Sequence, residues 1–372
     1  MNTRRIAVPA LFTVLLTAFA IAQEVEDIKV YLVRQAAQPP ALDGKLDEAC
    51  WSEADVVDDF GYTSYFNQNR TLAIPRTEAR FLWNERYLYI GLTAFEKDIE
   101  GVRRVVSNPG TAIFWRDLFE IHIDATHNRK TRYQLMANPN EERYVDATFD
   151  RGYAIEHESA WGLCADWTLK AHYGADRWTL EIAVSLADMK VSSRLGAHLG
   201  LNVARFRFVE GTQFLCWNGQ GGSHHDLKQF ATAILVGPGK TTIRDALRLA
   251  YPDIDQRTVR LLRADGYTIL DRGQSRDLTF AEIVQRDAAE TLRKLDEAAR
   301  ALAKAEMSDQ ARKSFQQTLD AERKEVDKAM AGDHATFVTC RAALDKLKGI
   351  AGRLTQLDWQ MKALLLAEKA QR

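Results

Sequence analysis

The chain has few of the residues and patterns that mark several common protein classes. Only four cysteines occur among its 372 residues, and their wide spacing matches neither a compact disulfide framework nor a set of zinc ligands. The 50 lysines and arginines nearly balance the 51 aspartates and glutamates, so no region gains much from releasing the counterions of a nucleic acid. No Gly-x-Ser-x-Gly elbow, P-loop or zinc-protease motif occurs. We therefore expect no nucleic-acid partner and none of these hydrolase chemistries.

Long apolar runs are also missing beyond the first two dozen residues. The N-terminal stretch MNTRRIAVPALFTVLLTAFAIAQ has two arginines, then an apolar run, then alternating alanines. This order is typical of a cleaved secretory signal peptide, and the run is shorter than the roughly 20 residues that a membrane span needs. We expect residues 1–22 to be removed and the protein to be exported, to the periplasm or outside the cell. Export permits a disulfide between Cys164 and Cys216, but we expect buried free thiols, with the disulfide as the alternative.

The pattern of the chain changes near Val236–Lys240. Before this point, short segments rich in β-branched and aromatic residues alternate with turn residues, and no long helical pattern interrupts them. Residues 28–238 are therefore predicted to form an all-β antiparallel sandwich. The segments with this character are 28–33, 77–83, 87–95, 118–124, 131–137, 178–184, 199–208 and 230–235.

Beyond this point, Ala, Leu, Lys, Arg and Glu dominate, and apolar residues recur every three or four positions from Phe280 to Leu357. This spacing gives a helix one apolar stripe. Residues 241–372 are predicted to be an α-helical hairpin or small bundle, in which Thr241 to Asp277 forms short helices and loops. The helices are candidates to oligomerise the protein or to bind a protein partner.

Several motifs of the first region occur together in one order. They are ALDGKLDEACW, TEARFLWNERYLYIGLTAFEKD, FWRDLFEIHID, RYQLMANPNEERYVDATFD, WTLEIAVSLADM with LGLNVARFRF, and DLKQFATAIL. Over roughly Ile28 to Val236, this series resembles the family 9 carbohydrate-binding modules, which are β-sandwiches. The resemblance implies a non-catalytic protein that binds poly- or oligosaccharides and assists separate glycoside hydrolases. It implies no certain cofactor; a structural calcium ion is the one candidate, although no calcium-loop motif is present.

Sugar rings stack on flat aromatic faces, and their hydroxyls need directed polar groups. Trp115 stands just before the segment LFEIHID, where the family stacks a sugar, and Glu120 matches the glutamate with which the family binds sugar hydroxyls. Glu120 shares one side of the strand with His122 and Asp124, while the intervening apolar residues face a core. The alternatives are a Trp115 packed over the end of the sandwich and a Glu120 paired within the protein.

The second half of the expected sugar site is less defined. Trp217 opens the glycine-rich segment FLCWNGQGGSHHD, and the family has its second stacking tryptophan nearer to His224. Either Trp217 or His224 is expected to supply this second face. Met136 stands where the family has an arginine, and Arg205 is the expected substitute, with a surface ion pair as the alternative. The tryptophans predicted to pack in the core are Trp51, Trp83, Trp161, Trp167 and Trp178.

Two cofactor hypotheses arise from the same residues. The run His224-His225-Asp226 suggests a metal, but three adjacent side chains cannot all converge without a special loop, and no other histidine lies at ligand spacing. A transition metal is therefore not expected. Haem binding by His122 and Met136 is an alternative function, since cytochrome domains related to this sandwich use such axial ligands.

Catalysis by the sandwich itself is not expected. A glycoside hydrolase needs two carboxylates about 5–5.5 Å or about 6.5–9.5 Å apart. Asp117 and Glu120 face opposite sides of one strand, and Glu120 and Asp124 are roughly 13 Å apart on one side. The sequence thus predicts an exported carbohydrate-binding protein, with a structural or oligomerising protein of the cell envelope as the alternative.

Overall fold

The computed structural model describes residues 27–63, 73–108, 110–151, 154–159, 167–218, 223–263, 266–335 and 337–370. The expected signal peptide, residues 1–22, lies outside these ranges, as does Trp161. Cys164 lies outside them too, and Cys216, the partner considered for it, is a buried free thiol. Among the helices of these ranges, none combines the length and the apolar character that crossing a membrane requires.

The strands follow the segments that the sequence singled out, with additions. They are β1 (Asp27–Gln35), β2 (Gly61–Tyr62), β3 (Thr77–Trp83), β4 (Tyr87–Phe95), β5 (Leu118–Asp124), β6 (Thr131–Ala137), β7 (Arg143–Arg151), β8 (Ala154–Ser159), β9 (Trp167–Tyr173), β10 (Arg177–Ser185), β11 (His198–Arg207), β12 (Gln213–Cys216), β13 (Ala231–Val236), β14 (Thr258–Arg263), β15 (Gly266–Asp271) and β16 (Gln274–Thr279). The α-helices are α1 (Ile99–Val106), α2 (Ile243–Ala250), α3 (Phe280–Lys304), α4 (Asp309–Met330) and α5 (Phe337–Ala370).

The strands form one curled, mixed sheet. Its order is β8-β7-β6-β5-β11-β13-β1-β3-β4-β10-β9, and β12 and β14 join it beside β11 and β1. Most neighbours are antiparallel, but β1 pairs in parallel with β13, β3 and β14. The predicted β-sandwich class is confirmed, although the sheet is not strictly antiparallel, because β1 lies between the two halves and joins both.

One apolar core lies between the two halves of the curled sheet. Phe81 and Ile90 contribute to it from one half, and Ile121 and Val203 from the other. The tryptophans expected in the core and described here are at most 2% exposed, as predicted: Trp51, Trp83, Trp167 and Trp178.

The segment from Thr241 to Asp277 differs from the prediction of short helices and loops. It contains α2, but it also contains β14 and β15 and begins β16, which form an antiparallel meander. Arg272 and Gly273 have φ angles of +46° and +80°, the conformation of a two-residue hairpin turn. This turn between two strand-like segments was the sequence signal for the meander. A search for the three- and four-residue spacing of helices does not detect it.

The helices α3, α4 and α5 form the expected small bundle. Their apolar stripes meet in a second core, which includes Leu295, Val326 and Ile350. Thr279 and Glu282 form a capping box at the start of α3. Tyr267 of β15 belongs to the same core, so the meander connects the bundle to the sheet.

Candidate functional site

The candidate site lies on the face of β5 that points away from the sandwich core. As predicted, Phe119, Ile121 and Ile123 enter the core, and Glu120 and His122 lie on the other face. That face is nevertheless covered: Glu120 is 1% exposed and His122 is 0% exposed. The cover comes from the segment after β12, whose histidines His224 and His225 lie against both side chains.

Four side chains converge here. Oε1 of Glu120 lies 2.9 Å from Nε2 of His122 and 3.9 Å from Nδ1 of His225. Its Oε2 lies 3.5 Å from Nε2 of His224. One donor atom from each of the four residues lies within 4.8 Å of every other. Asp226 does not join the cluster, because its carboxylate accepts the N–H of Lys228 instead.

Neighbouring polar groups hold this arrangement in place. Gln134 donates its Nε2–H to Oε1 of Glu120 at 2.6 Å. Asn202 donates to the carbonyl oxygen of His224 at 3.0 Å, and Arg132 donates to the carbonyl oxygen of His225 at 3.1 Å. The histidine segment is therefore fixed to the sheet by its backbone, which leaves the imidazoles to face Glu120.

Burial controls the charge of the cluster. Loss of solvent lowers the pKa of His122 to about 4 and that of His225 to about 3. Burial alone would raise the pKa of Glu120, but the adjacent His122 and His224 bring it below its usual range. Near pH 7 the cluster is thus a carboxylate beside imidazoles of which His122 and His225 are neutral.

Sequence reasoning missed the role of His122 in this cluster. His122 lies about a hundred residues before His224, so spacing along the chain gave no signal. The two are brought together because β5 pairs with β11, which places His122 opposite Asn202. Asn202 in turn holds the backbone of His224.

Trp115 lies at the exposed end of the same face. It ends a short 3₁₀ helix, Ile113–Trp115, and its side chain is 56% exposed. Aromatic rings connect it to the cluster with centroid separations of 4.3–6.3 Å. In order from Trp115, these rings are Phe208, Phe214, Phe206 and His224.

Trp217 does not lie at this site. It is 2% exposed, and its ring packs in the sandwich core, 6.2 Å from that of Phe81 and 6.0 Å from that of Tyr31. The expectation that Trp217 stacks on a sugar is therefore corrected, since neither face of its ring meets solvent.

Arg205 is also removed from the site. It is fully buried and donates to the hydroxyl of Thr77 at 3.2 Å and to the carbonyl of Phe95 at 3.1 Å. Its guanidinium lies 3.5 Å from the carboxylate of Glu96. The expected sugar contact is thus corrected to an internal ion pair, which is buried and not at the surface as the alternative assumed. Arg205 lies opposite Phe119 in the sheet and so faces the interior.

The haem hypothesis meets a steric obstacle. The ring of His122 is surrounded by the rings of His224, His225 and Phe230, at centroid distances of 5.2–5.7 Å. A planar porphyrin has no free approach to this imidazole. Met136 lies opposite Glu120 in the sheet, so it borders the same filled space.

A second group, Asp43, Glu48 and Glu181, also lies close enough to hold a cation. The oxygens of Glu181 already accept hydrogen bonds from Asp43 N, Gly44 N and Trp51 Nε1, each at 2.8 Å. Calcium needs six or more oxygen ligands, and here the most buried carboxylate is used by the protein's own donors.

The sequence and the fold of the β-rich region are both similar to those of known proteins. Residues 42–238 match the sequence model of a family described as "Carbohydrate family 9 binding domain-like". The chain is similar to a family 9 carbohydrate binding module from Caldicellulosiruptor kristjanssonii in complex with cellotriose, at 12% identity and a TM-score of 0.42, covering 58% of this chain and 97% of that one. A glucose complex from the same organism also gives 12% identity and a TM-score of 0.42, covering 58% and 100%. No protein with a curated description matches.

Proposed function

Since the chain belongs to the carbohydrate family 9 binding domain-like family, we propose that it is a non-catalytic protein that binds poly- or oligosaccharides. The family match spans most of the β-rich region. The observation that carries the proposal is Trp115, a large apolar ring that is 56% exposed at the end of the face that carries Glu120. A flat indole in this position can stack on the C–H bonds of a sugar ring.

The surroundings of Trp115 fit a sugar-binding surface. Tyr144 is 38% exposed and lies opposite Met136, which in turn lies opposite Glu120. Tyr144 therefore shares the face of the cluster, near the end at which β5 begins after Trp115. Two exposed aromatic side chains at one end of a face offer stacking surfaces for adjacent sugar units.

Glu120 and His224 are expected to contribute from beneath this surface. Both are buried, so a hydroxyl group cannot reach them unless the covering segment moves. His225 is the more accessible member, with a side chain 38% exposed. In this proposal Glu120 and His224 fix the floor of the site, and the direct contacts come from Trp115 and the exposed groups around it.

The proposal extends to the place and partners of the protein. Residues 1–22 act as a cleaved signal peptide, and the mature protein works in the periplasm or outside the cell beside separate glycoside hydrolases. The mass of the mature protein recovered from its host tests the cleavage. The helices α3, α4 and α5 supply the contact with a partner or a second copy, which light scattering of the full chain tests.

A glycan array followed by affinity electrophoresis tests the binding site. Cellotriose and glucose are the first soluble probes, and the variants are Trp115→Ala and Trp359→Ala. Trp359 lies on α5 and is 60% exposed, so it is a matched control for loss of an exposed indole. We expect Trp115→Ala to weaken binding about tenfold, which corresponds to roughly 1.4 kcal/mol of stacking energy, and Trp359→Ala to leave it unchanged.

Two outcomes contradict the proposal at different levels. Equal glycan affinity of the wild type and Trp115→Ala would show that the site lies elsewhere. A wild-type protein that binds no glycan would remove the carbohydrate function and favour the structural role.

A further inference from the structure

The cluster of Glu120, His122, His224 and His225 has the donor chemistry of a metal centre. Imidazole nitrogens and a carboxylate oxygen are the ligands that Zn²⁺ and related ions take in proteins. From this convergence we infer that the four side chains form a binding site for a divalent transition-metal ion, with zinc as the best match. The inference does not depend on carbohydrate binding.

The spacing of the donor atoms fits one shared ion. Two ligands about 2.0–2.1 Å from a tetrahedral Zn²⁺ lie roughly 3.3 Å from each other. Here the distances from the oxygens of Glu120 to the three imidazole nitrogens are 2.9, 3.5 and 3.9 Å. One donor atom of each of the four residues lies within 4.8 Å of the others, so rotations of the side chains would bring the four donors to the separation that one ion requires.

The imidazoles lack other partners. Both ring nitrogens of His122 and of His224 are buried without a hydrogen bond from any described group, and so is Nδ1 of His225. Nε2 of His122 is near Glu120 in distance, but the two are not aligned as donor and acceptor. Buried polar atoms without partners are costly and rare. An ion between these atoms would satisfy one nitrogen of each ring at once.

A direct pairing of histidine with glutamate explains less. A proton shared by Glu120 and His122 would satisfy a single nitrogen and would leave His224 and His225 without partners. Three histidines that face one largely buried carboxylate therefore favour a cation at their centre over a two-residue hydrogen bond.

Neighbouring polar groups orient the carboxylate and the backbone of the histidine segment. Gln134 donates to Oε1 of Glu120, which orients the carboxylate toward the imidazoles. Asn202 and Arg132 hold the carbonyl oxygens of His224 and His225. The ligand segment is therefore oriented in advance.

The ligand number indicates what the ion does. Four protein ligands complete a tetrahedral shell, which is the arrangement of structural zinc sites and leaves no open position for catalysis. Two ligands lie on β5 and two on the segment after β12, so a bound ion would join this segment to the sheet. The more exposed His225 provides the side from which the ion enters.

Metal binding is measured on the full-length protein after treatment with a chelator. Equilibrium dialysis with Zn²⁺ gives the stoichiometry and affinity, and the visible spectrum with Co²⁺ reports the coordination geometry. The variants are His224→Gln and His225→Gln, and His172→Gln is the control because His172 is an exposed histidine outside the cluster. We expect one ion per wild-type chain, a tetrahedral Co²⁺ spectrum, affinity at least tenfold weaker in both cluster variants, and no change in the control.

A bound ion should also raise the melting temperature of the wild type. The rise should be much smaller for His225→Gln. The inference is overturned if the wild type binds no Zn²⁺, if both cluster variants bind as the wild type does, or if the Co²⁺ spectrum is octahedral. Selective binding of Ca²⁺ in place of Zn²⁺ would overturn it too. Should His224→Gln fail to fold, the partly exposed His225→Gln and the wild-type Co²⁺ spectrum decide the question.

Discussion

Replacing Glu181 by glutamine would perturb the link between the opening stretch of the domain and the sheet. Oε2 of Glu181 accepts the backbone N–H groups of Asp43 and Gly44, and Oε1 accepts the indole N–H of Trp51, each at 2.8 Å. Glu181 is fully buried on β10, and Trp51 is buried as well. One carboxylate therefore holds both the Asp-Gly turn and the tryptophan that follows it.

The size of the effect follows from these three bonds. A carboxamide has a single acceptor oxygen, so Glu181→Gln can serve the two backbone donors only by turning its NH₂ group toward the indole N–H of Trp51. Each hydrogen bond to a charged group contributes about 1.5–3 kcal/mol, and a buried donor without an acceptor adds a cost. Burial raises the pKa of Glu181, which shows that desolvation of the charge offsets part of this gain. We expect a net loss of about 2–3 kcal/mol in the free energy of unfolding.

A double-mutant cycle with Trp51→Phe tests the mechanism. Removing the indole N–H relieves the contact between two donors in Glu181→Gln, so the double variant should cost at least about 1 kcal/mol less than the sum of the single variants. Urea unfolding followed by circular dichroism gives the three values. The control is Glu53→Gln, an exposed glutamate near the same stretch, for which we expect a change within about 0.5 kcal/mol. Additive effects, or a Glu181→Gln protein as stable as the wild type, would refute this account.

Two further variants test the backbone and the interior charges. Gly44 has a φ of +91°, and a Cβ there would lie 2.4 Å from the carbonyl carbon of Ala171, so we expect Gly44→Ala to lose about 3 kcal/mol or more in urea unfolding. Burial raises the pKa of Asp117 from 3.8 to about 6, with Arg205 opposing the shift. The folded state therefore holds this proton more tightly than the unfolded chain, and stability falls as the pH rises through that window. Relative to Asp117→Asn, the wild type should lose about 2 kcal/mol between pH 4 and pH 6, and a pH-independent difference would contradict this.

The sequence pattern was sufficient to predict those parts of the architecture that depend on residues close together in the chain. Alternation in β5 placed Ile121 in the core and Glu120 on the opposite face, and the three- and four-residue spacing defined the bundle of α3 to α5. These features depend on neighbours within a few residues, which hydrophobic periodicity reports directly. The meander of β14 to β16 was missed because its strands follow a helix in a segment dominated by charged residues.

The buried face of β11 is a feature that the local sequence pattern does not predict. In NVARFRF, the arginines share one side and Ala204 and Phe206 share the other, so hydrophobicity alone predicts the arginines outside. The structure reverses this: Arg205 faces the interior, where Glu96 neutralises it, and Phe206 joins the aromatic row that leads to His224. The charge that makes this possible, Glu96, follows β4 and is distant from β11 in the sequence, so only the complete sheet reveals which side is buried.

The two proposals assign different parts of one face to different ligands. Glu120 cannot both coordinate an ion and bind sugar hydroxyls, since it is buried beneath His224 and His225. The ring of Phe206, however, contacts that of His224 and belongs to the row that ends at Trp115. An ion that fixes His224 would therefore also order the row that supports the stacking surface. Thermodynamic linkage then requires that any gain in sugar affinity on loading the ion equal the gain in ion affinity on binding the sugar.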